Sequence, residues 1–190
     1  KRPNLSVKKL KSLVMGSTEV IRDKDSIIYP VARQGAGRVN AYNALSTNIL
    51  ATPSGLSLGE LELDREKSIK KMITLHNLGP KDLSLETNLD LVKGVLVKAP
   101  KLVEIKKFSK IVIPVEFVLN RSKDNQNELS GHIQFKTEGK ISLKIPYLMG
   151  VRKISNIKVS KVVSNGSKTD VSLENISSND GQVLPFYLIA

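Results

Sequence analysis

Apolar residues recur along this chain in two rhythms. Near the start the rhythm is helical: Val7, Leu10, Leu13 and Val14 share one face, while Lys8, Lys9 and Lys11 point elsewhere. Ser6 is placed to cap this helix and Gly16 to stop it. A turn-rich stretch, Asp23-Lys24-Asp25-Ser26, leads to Ile27-Ile28-Tyr29 and Pro30, and Gln34-Gly35-Ala36-Gly37 reads as a turn. Asn40 is then placed to cap a second helix, expected over Ala41–Leu50, with Ala41, Ala44, Leu45 and Ile49 apolar. Two short amphipathic helices cannot close a core. Their apolar faces must dock either on the domain C-terminal to them or on a larger domain upstream of Lys1.

After Thr52-Pro53-Ser54-Gly55 the period becomes two. Leu56, Leu58, Leu61 and Leu63 begin it, and Ile69 to Leu75 continues to the turn signal Asn77-Leu78-Gly79-Pro80. Leu83, Leu85, Thr87 and Leu89 alternate with Ser84, Glu86 and Asn88. Leu91 to Val97 and Ile111 to Leu119 are further strands, the latter carrying Pro114, which belongs at an edge or a bulge. Asn120 to Ser130 is polar and reads as a loop tip. Ile133 and Phe135, then Ile141, Leu143 and Ile145, alternate on either side of the turn Glu138-Gly139-Lys140. About seven short strands with turns every 8–12 residues form the pattern of an immunoglobulin-like β-sandwich, here over residues 52–151. In the remainder, Val171-Ser172-Leu173-Glu174-Asn175 lines up with Ile73-Thr74-Leu75-His76-Asn77 at a spacing of 98 residues, as at the start of a second β module.

Composition narrows the chemistry. With 40% hydrophobic residues but only 4% aromatic and no Trp, the core must be built from Val, Ile and Leu. The absence of cysteine excludes disulfides, a thiol nucleophile and thiolate metal sites. No apolar run reaches the length of a membrane span. The net charge of +12 divides as +6, +4 and +2 over residues 1–50, 51–150 and 151–190. Its densest cluster is Lys1, Arg2, Lys8, Lys9 and Lys11. Without aromatics interleaved among the basic residues, this reads as a solvated surface rather than a nucleic-acid site.

Three segments, in order, carry a family resemblance. Pro3-Asn4-Leu5-Ser6 with Leu10-Lys11-Ser12-Leu13-Val14-Met15 resembles the helix that follows the nucleophile helix in the large subtilisin-like serine proteases, although Gly16-Ser17 stands where that family usually has Thr-Ala. Gln34-Gly35-Ala36-Gly37-Arg38-Val39-Asn40-Ala41 with Ala44 resembles the string that leads into the last helix of their peptidase domain, and is the most specific of the three. Gly131-His132-Ile133 with Ile145-Pro146-Tyr147 resembles late strands of the fibronectin type III-like domain that follows it.

The resemblance implies a mainly β chain in three parts. Residues 1–51 would be the C-terminal helices of an α/β subtilase peptidase domain, 52–151 a fibronectin III-like sandwich and 152–190 a partial further β module. It also implies a secreted or cell-envelope parent that cleaves peptide bonds. The partners would be the upstream peptidase domain of the same protein and, through it, protein or peptide substrates, with no nucleic acid and no cofactor. Readings from other classes are an immunoglobulin-like adhesion module and a polyanion-binding β protein.

The family's Asp, His and Ser lie upstream of the first matched segment, so no catalytic, cofactor-binding or metal-ligating residue is assigned here. His76 and His132 match no catalytic motif and are expected as solvent-facing strand residues without metal-ligand spacing. Glu60, Glu62, Asp64 and Glu66 share a period-two face, read as solvated rather than as a calcium site. Gly35-Ala36-Gly37 lacks the third Gly, the Lys and the βαβ context of a phosphate loop, and reads as a tight turn into a packed helix. Four Asn-x-Ser sequons, at Asn4, Asn120, Asn165 and Asn175, are what chance gives in a chain this rich in Asn and Ser.

Overall fold

The computed structural model describes residues 5–62, 66–119, 128–152, 157–166 and 168–175. The chain forms two compact units, Lys1–Arg152 and Lys153–Ala190. Among the described residues of the first unit, helices α1 (Val7–Gly16), α2 (Val31–Gln34) and α3 (Ala41–Ser46) precede nine strands. These are β1 (Ile49–Thr52), β2 (Leu56–Glu62), β3 (Lys67–Asn77), β4 (Leu83–Leu89), β5 (Val95–Lys98), β6 (Leu102–Ile105), β7 (Lys110–Leu119), β8 (Glu128–Thr137) and β9 (Lys140–Arg152).

The strands pair into two sheets, in the orders β1-β3-β7-β5 and β2-β9-β8-β4-β6. All pairs are antiparallel except β2 with β9. The inward positions follow the period-two pattern: Ile113, Val115, Phe117 and Leu119 of β7 meet a core shared with Ile133, Phe135, Ile145, Tyr147 and Met149 of the other sheet. Phe117 and Tyr147 pack edge to face with ring centroids 5.1 Å apart. The chain is mainly β, with short N-terminal helices and an immunoglobulin-like sandwich.

Several elements differ from expectation. The second helix ends at Ser46, and residues 49–52 are a strand instead. β1 is buried on both faces: Ile49 and Ala51 join the sandwich core, while Leu50 packs with Leu13 and Ala44 on the helical side. A strand covered on both sides shows no polar alternation, which is why Asn48-Ile49-Leu50-Ala51 reads as the end of an apolar helix. β6 is an additional strand. Asn120 to Ser130 is shorter as a loop than expected, since Glu128 already begins β8; residues 120–127 lie outside the described residues. Pro114 falls where its missing N–H is tolerated. β5 covers β7 only from Glu116 to Leu119, so Pro114 has a described neighbour on one side alone.

The turn after β3 is fixed by a buried side chain. Asn77 Nδ2 donates to the carbonyls of Lys81 at 2.7 Å and Lys106 at 3.1 Å, and its Oδ1 accepts from Gly79 N at 2.9 Å.

α1 docks through its C-terminal half, with Leu13 and Val14 of the predicted apolar face turned inward. Ser12, Leu13 and Gly16 are buried, and Ser12 Oγ both donates to Ala51 O and accepts from Ala51 N at 3.2 Å. Val7 and Leu10, on the predicted apolar face, are 84% and 52% exposed. The helix starts as expected, with Ser6 Oγ accepting from Lys9 N at 3.4 Å. Gly16 does not stop it alone: Ser17 closes the end, its hydroxyl donating to Leu13 O at 2.8 Å. α3 repeats the pattern, burying Ala44 and leaving Tyr42 79% and Leu45 74% exposed.

The second unit contains the antiparallel pair β10 (Ile157–Asn165) and β11 (Lys168–Asn175), with a bulge between Val159 and Lys161. Val159, Val162, Val171 and Leu173 are exposed on it. The expected match Val171–Asn175 therefore falls within β11, and residues 176–190 lie outside the described residues.

Candidate functional site

The outer face of β8 and β9 is partly covered, with His132 and Lys144 buried on it. Residues 16–20 and α3 lie over it and leave a cleft of about 720 Å³, whose walls include Thr18, Glu19, Asp90, His132, Ser142 and Lys144. Segment 16–20 is held there by a two-stranded bridge, in which Glu19 N donates to Arg38 O at 2.9 Å and Arg38 N to Glu19 O at 2.8 Å. Gly37 makes this approach possible. Its φ is +115°, and a Cβ there would stand 2.3 Å from Glu19 O. The Gly35-Ala36-Gly37 turn thus serves backbone packing ahead of α3, where Asn40 Oδ1 caps Asn43 N at 2.9 Å.

His132 corrects the expectation of a solvent-facing residue. It points away from the sandwich core, as alternation requires, but the helical segment covers it and it is only 3% exposed. Its backbone N–H donates to Asp90 Oδ2 at 2.9 Å and its Nδ1 lies 3.0 Å from the same oxygen, while Gln134 Nε2 donates to Asp90 Oδ1 at 2.8 Å. Because an ionised carboxylate accepts only, Nδ1 carries the proton in that contact. Nε2 is enclosed and, among the described residues, has no hydrogen-bond partner. An Asp–His pair of this kind resembles the orienting half of a catalytic triad in composition alone: among the described residues no hydroxyl is hydrogen-bonded to the enclosed Nε2. His76 is half-buried on β3, with Nε2 2.9 Å from Thr52 Oγ1; burial, then Lys9 and Lys110, hold it below the ordinary histidine value.

The electrostatics of the cleft are uneven. Burial pushes the Asp90 carboxyl up, but the hydrogen bonds and charge of His132, with the Gln134 amide, outweigh it and hold it below its ordinary value. Glu19 accepts from Arg38 at 2.7 Å and from Asn40 at 2.6 Å, which lowers it as well. Lys144 is 6% exposed, and burial holds its ammonium below the ordinary lysine value against the attraction of Glu19 and Asp90. Its burial is invisible to strand alternation, which assigns it to the solvent side with Ser142.

The carboxylate run is only partly described. Glu60 lies in β2 next to a register shift, and Glu66 is exposed. Asp64 and the Glu62 side chain lie outside the described residues. Among the described residues no three His, Asp or Glu side chains are grouped to hold a metal. Also among the described residues, no helix is long and apolar enough to cross a membrane.

No family model matches the chain. Over 170 residues, 87% of its length, it is 25% identical to the minor extracellular protease Vpr of Bacillus subtilis (strain 168), and it spans 21% of that protein. Among solved structures, PapD-like domain 7 of human CEP192 overlaps 58% of this chain and 89% of its own, at 12% identity and a TM-score of 0.41. WR4, a C. elegans member of the MSP family, overlaps 56% and 99%, at 9% identity and a TM-score of 0.38. In sequence the chain is thus distantly similar, over most of its length, to part of a longer extracellular protease.

Proposed function

We propose that this chain is the C-terminal, non-catalytic portion of a secreted or cell-envelope subtilisin-like serine endopeptidase. In this reading residues 1–51 complete the helical layer of the peptidase domain. The fibronectin III-like sandwich of residues 52–151 stiffens that domain and widens its substrate-binding surface, and residues 152–190 begin a further β module. The nucleophile and its base come from the upstream peptidase domain, which is also the chain's principal partner.

The observation that carries the reading is the mismatch on α1 and α3. α1 buries Ser12, Leu13 and Gly16 and α3 buries Ala44, while the large apolar side chains Val7, Leu10, Tyr42 and Leu45 face out. Apolar side chains left uncovered on a helix otherwise docked by Ser12, Leu13 and Gly16 fit a second packing partner. Covering Val7, Leu10 and Leu45 would stabilise the assembly by up to about 1.5–3 kcal/mol apiece. The alignment with an extracellular protease, over a chain that is a small part of it, supports the same reading.

The test is the double substitution Val7→Ser and Leu10→Ser, made in the 190-residue chain and in the protein as its source produces it. In the chain alone, thermal stability should change by no more than about 0.5 kcal/mol, since both side chains are exposed. In the whole protein we expect a loss of about 2–4 kcal/mol and earlier thermal inactivation of peptidase activity. Equal small effects in both settings would contradict the reading.

A further inference from the structure

The cleft over β8 and β9 has a use that the proposed function does not supply, and it stands whether or not the parent cleaves peptides. We propose that it binds a carboxylate attached to a small apolar body, with the Lys144 ammonium as the charged anchor.

The donors and acceptors of its walls point to this ligand. Both carboxylates are already satisfied: Glu19 by Arg38 and Asn40, Asp90 by the His132 backbone and ring and by Gln134. The hydroxyls are also committed. The single proton of Thr18 Oγ1 is shared between Met15 O and Ala36 O, Thr47 donates to Ser142 O, and Ser142 to Lys140 O. Lys144 remains. It lines the cleft, is 6% exposed, and among the described residues forms no ion pair or hydrogen bond. Glu19 and Asp90 attract it without reaching ion-pair distance. A partly desolvated ammonium so placed lacks the close anion that would offset that desolvation.

The remaining charges on the walls have the same sign. Lys140 and Arg22 line the cleft with Lys144. A cationic ligand would find the oxygens of Glu19 and Asp90 already hydrogen-bonded, and three positive groups on the walls against these two carboxylates. An anion would find an unpaired donor within a partly dehydrated site, where a charge-assisted hydrogen bond is strongest. Val20, Ile28 and Ile141 supply apolar wall, so the ligand carries an apolar part beside its charge. The volume of about 720 Å³ accommodates a molecule of a few residues. A free aliphatic carboxylic acid and the C-terminal residue of a peptide share this chemistry.

The test is a titration of the full 190-residue chain, followed through its backbone amide resonances. The probes are N-acetyl-leucine, its amide, acetyl-Ala-Ala-Leu as the free acid, and inorganic phosphate. Saturable shifts are expected at Thr18, Glu19 and residues 142–144 with N-acetyl-leucine, and binding of the amide should be at least about tenfold weaker. Lys144→Met, which fills similar space without charge, should weaken the acid at least about tenfold and leave the amide unchanged. Tighter binding of the peptide would assign the ligand to a peptide end and tighter binding of N-acetyl-leucine to a small acid; both support the site. Acid and amide binding alike, or no saturable shift with either acid, would overturn the proposal. Phosphate binding as tightly as the acids would overturn the assignment to a carboxylate. The comparison of acid with amide needs no variant, so it decides the matter even if Lys144→Met fails to fold.

Discussion

Tyr147 is fully buried and, among the described residues, its hydroxyl has no partner; burial drives its ionisation far above the ordinary range. A buried hydroxyl without a partner costs about 1–3 kcal/mol of desolvation. Tyr147→Phe should therefore leave stability unchanged or raise it by about 1 kcal/mol, measured by urea unfolding. The opposite change lies one strand away. A Cβ on Gly131 would stand 2.6 Å from Tyr147 Oη and 2.8 Å from Cζ, and that ring is wedged against Phe117. Gly131→Ala should cost about 1–3 kcal/mol, and a smaller loss would mean that the ring can move.

Asp90 gives the molecule a pH dependence of known sign. Its folded value lies below the ordinary carboxylate value, so the bonds to His132 and Gln134 stabilise the fold fully above that value. The contribution disappears as pH falls through the lower, folded value, in the region below about 4. Asp90→Asn should cost about 1–3 kcal/mol at neutral pH and remove this part of the acid slope. Superimposable slopes for the two proteins in urea unfolding from pH 3 to 6 would contradict the assignment. Lys144 acts at the other end. Its folded value lies below 10.5, so the penalty for its buried charge is present at neutral pH and is relieved as pH rises through that value.

At the scale of elements, the hinge between helices and sandwich is Ser12 on β1. Ser12→Ala removes both bonds to Ala51 and leaves its buried backbone groups without that partner. A loss of about 1–3 kcal/mol is expected, with faster amide exchange in α1 and little change in β3 and β7. Uniform acceleration across the sandwich would mean that α1 is not separately docked.

Elements were legible where one face met the core and the other met water. Leu83 to Leu89 alternates cleanly, and β4 occupies those residues. The caps Ser6 and Asn40 were legible because their chemistry is local. What alternation could not show is that a third layer covers part of the outer face. His132 and Lys144 were assigned to solvent by a correct strand pattern, and β1 was read as a helix end because both its sides are buried. In each case the missing information is tertiary: which segment lies over which strand. The one hint was the surplus of apolar surface on the predicted helices, which announced a partner without naming the face.

At the scale of the whole molecule, the sandwich closes its own core although Leu91 and Phe108 stay exposed on it, and the much shorter helical segment exposes Val7, Leu10, Tyr42 and Leu45. Those exposed helix side chains, with the similarity to part of a longer extracellular protease, are what the proposed function rests on. The most direct test is the intact mass of the protein from its source after labelling with a fluorophosphonate, which reacts with activated serines. The account predicts a species much heavier than this chain that carries a single adduct. An unlabelled species of 20.9 kDa would contradict it and leave a catalytically silent β-rich module.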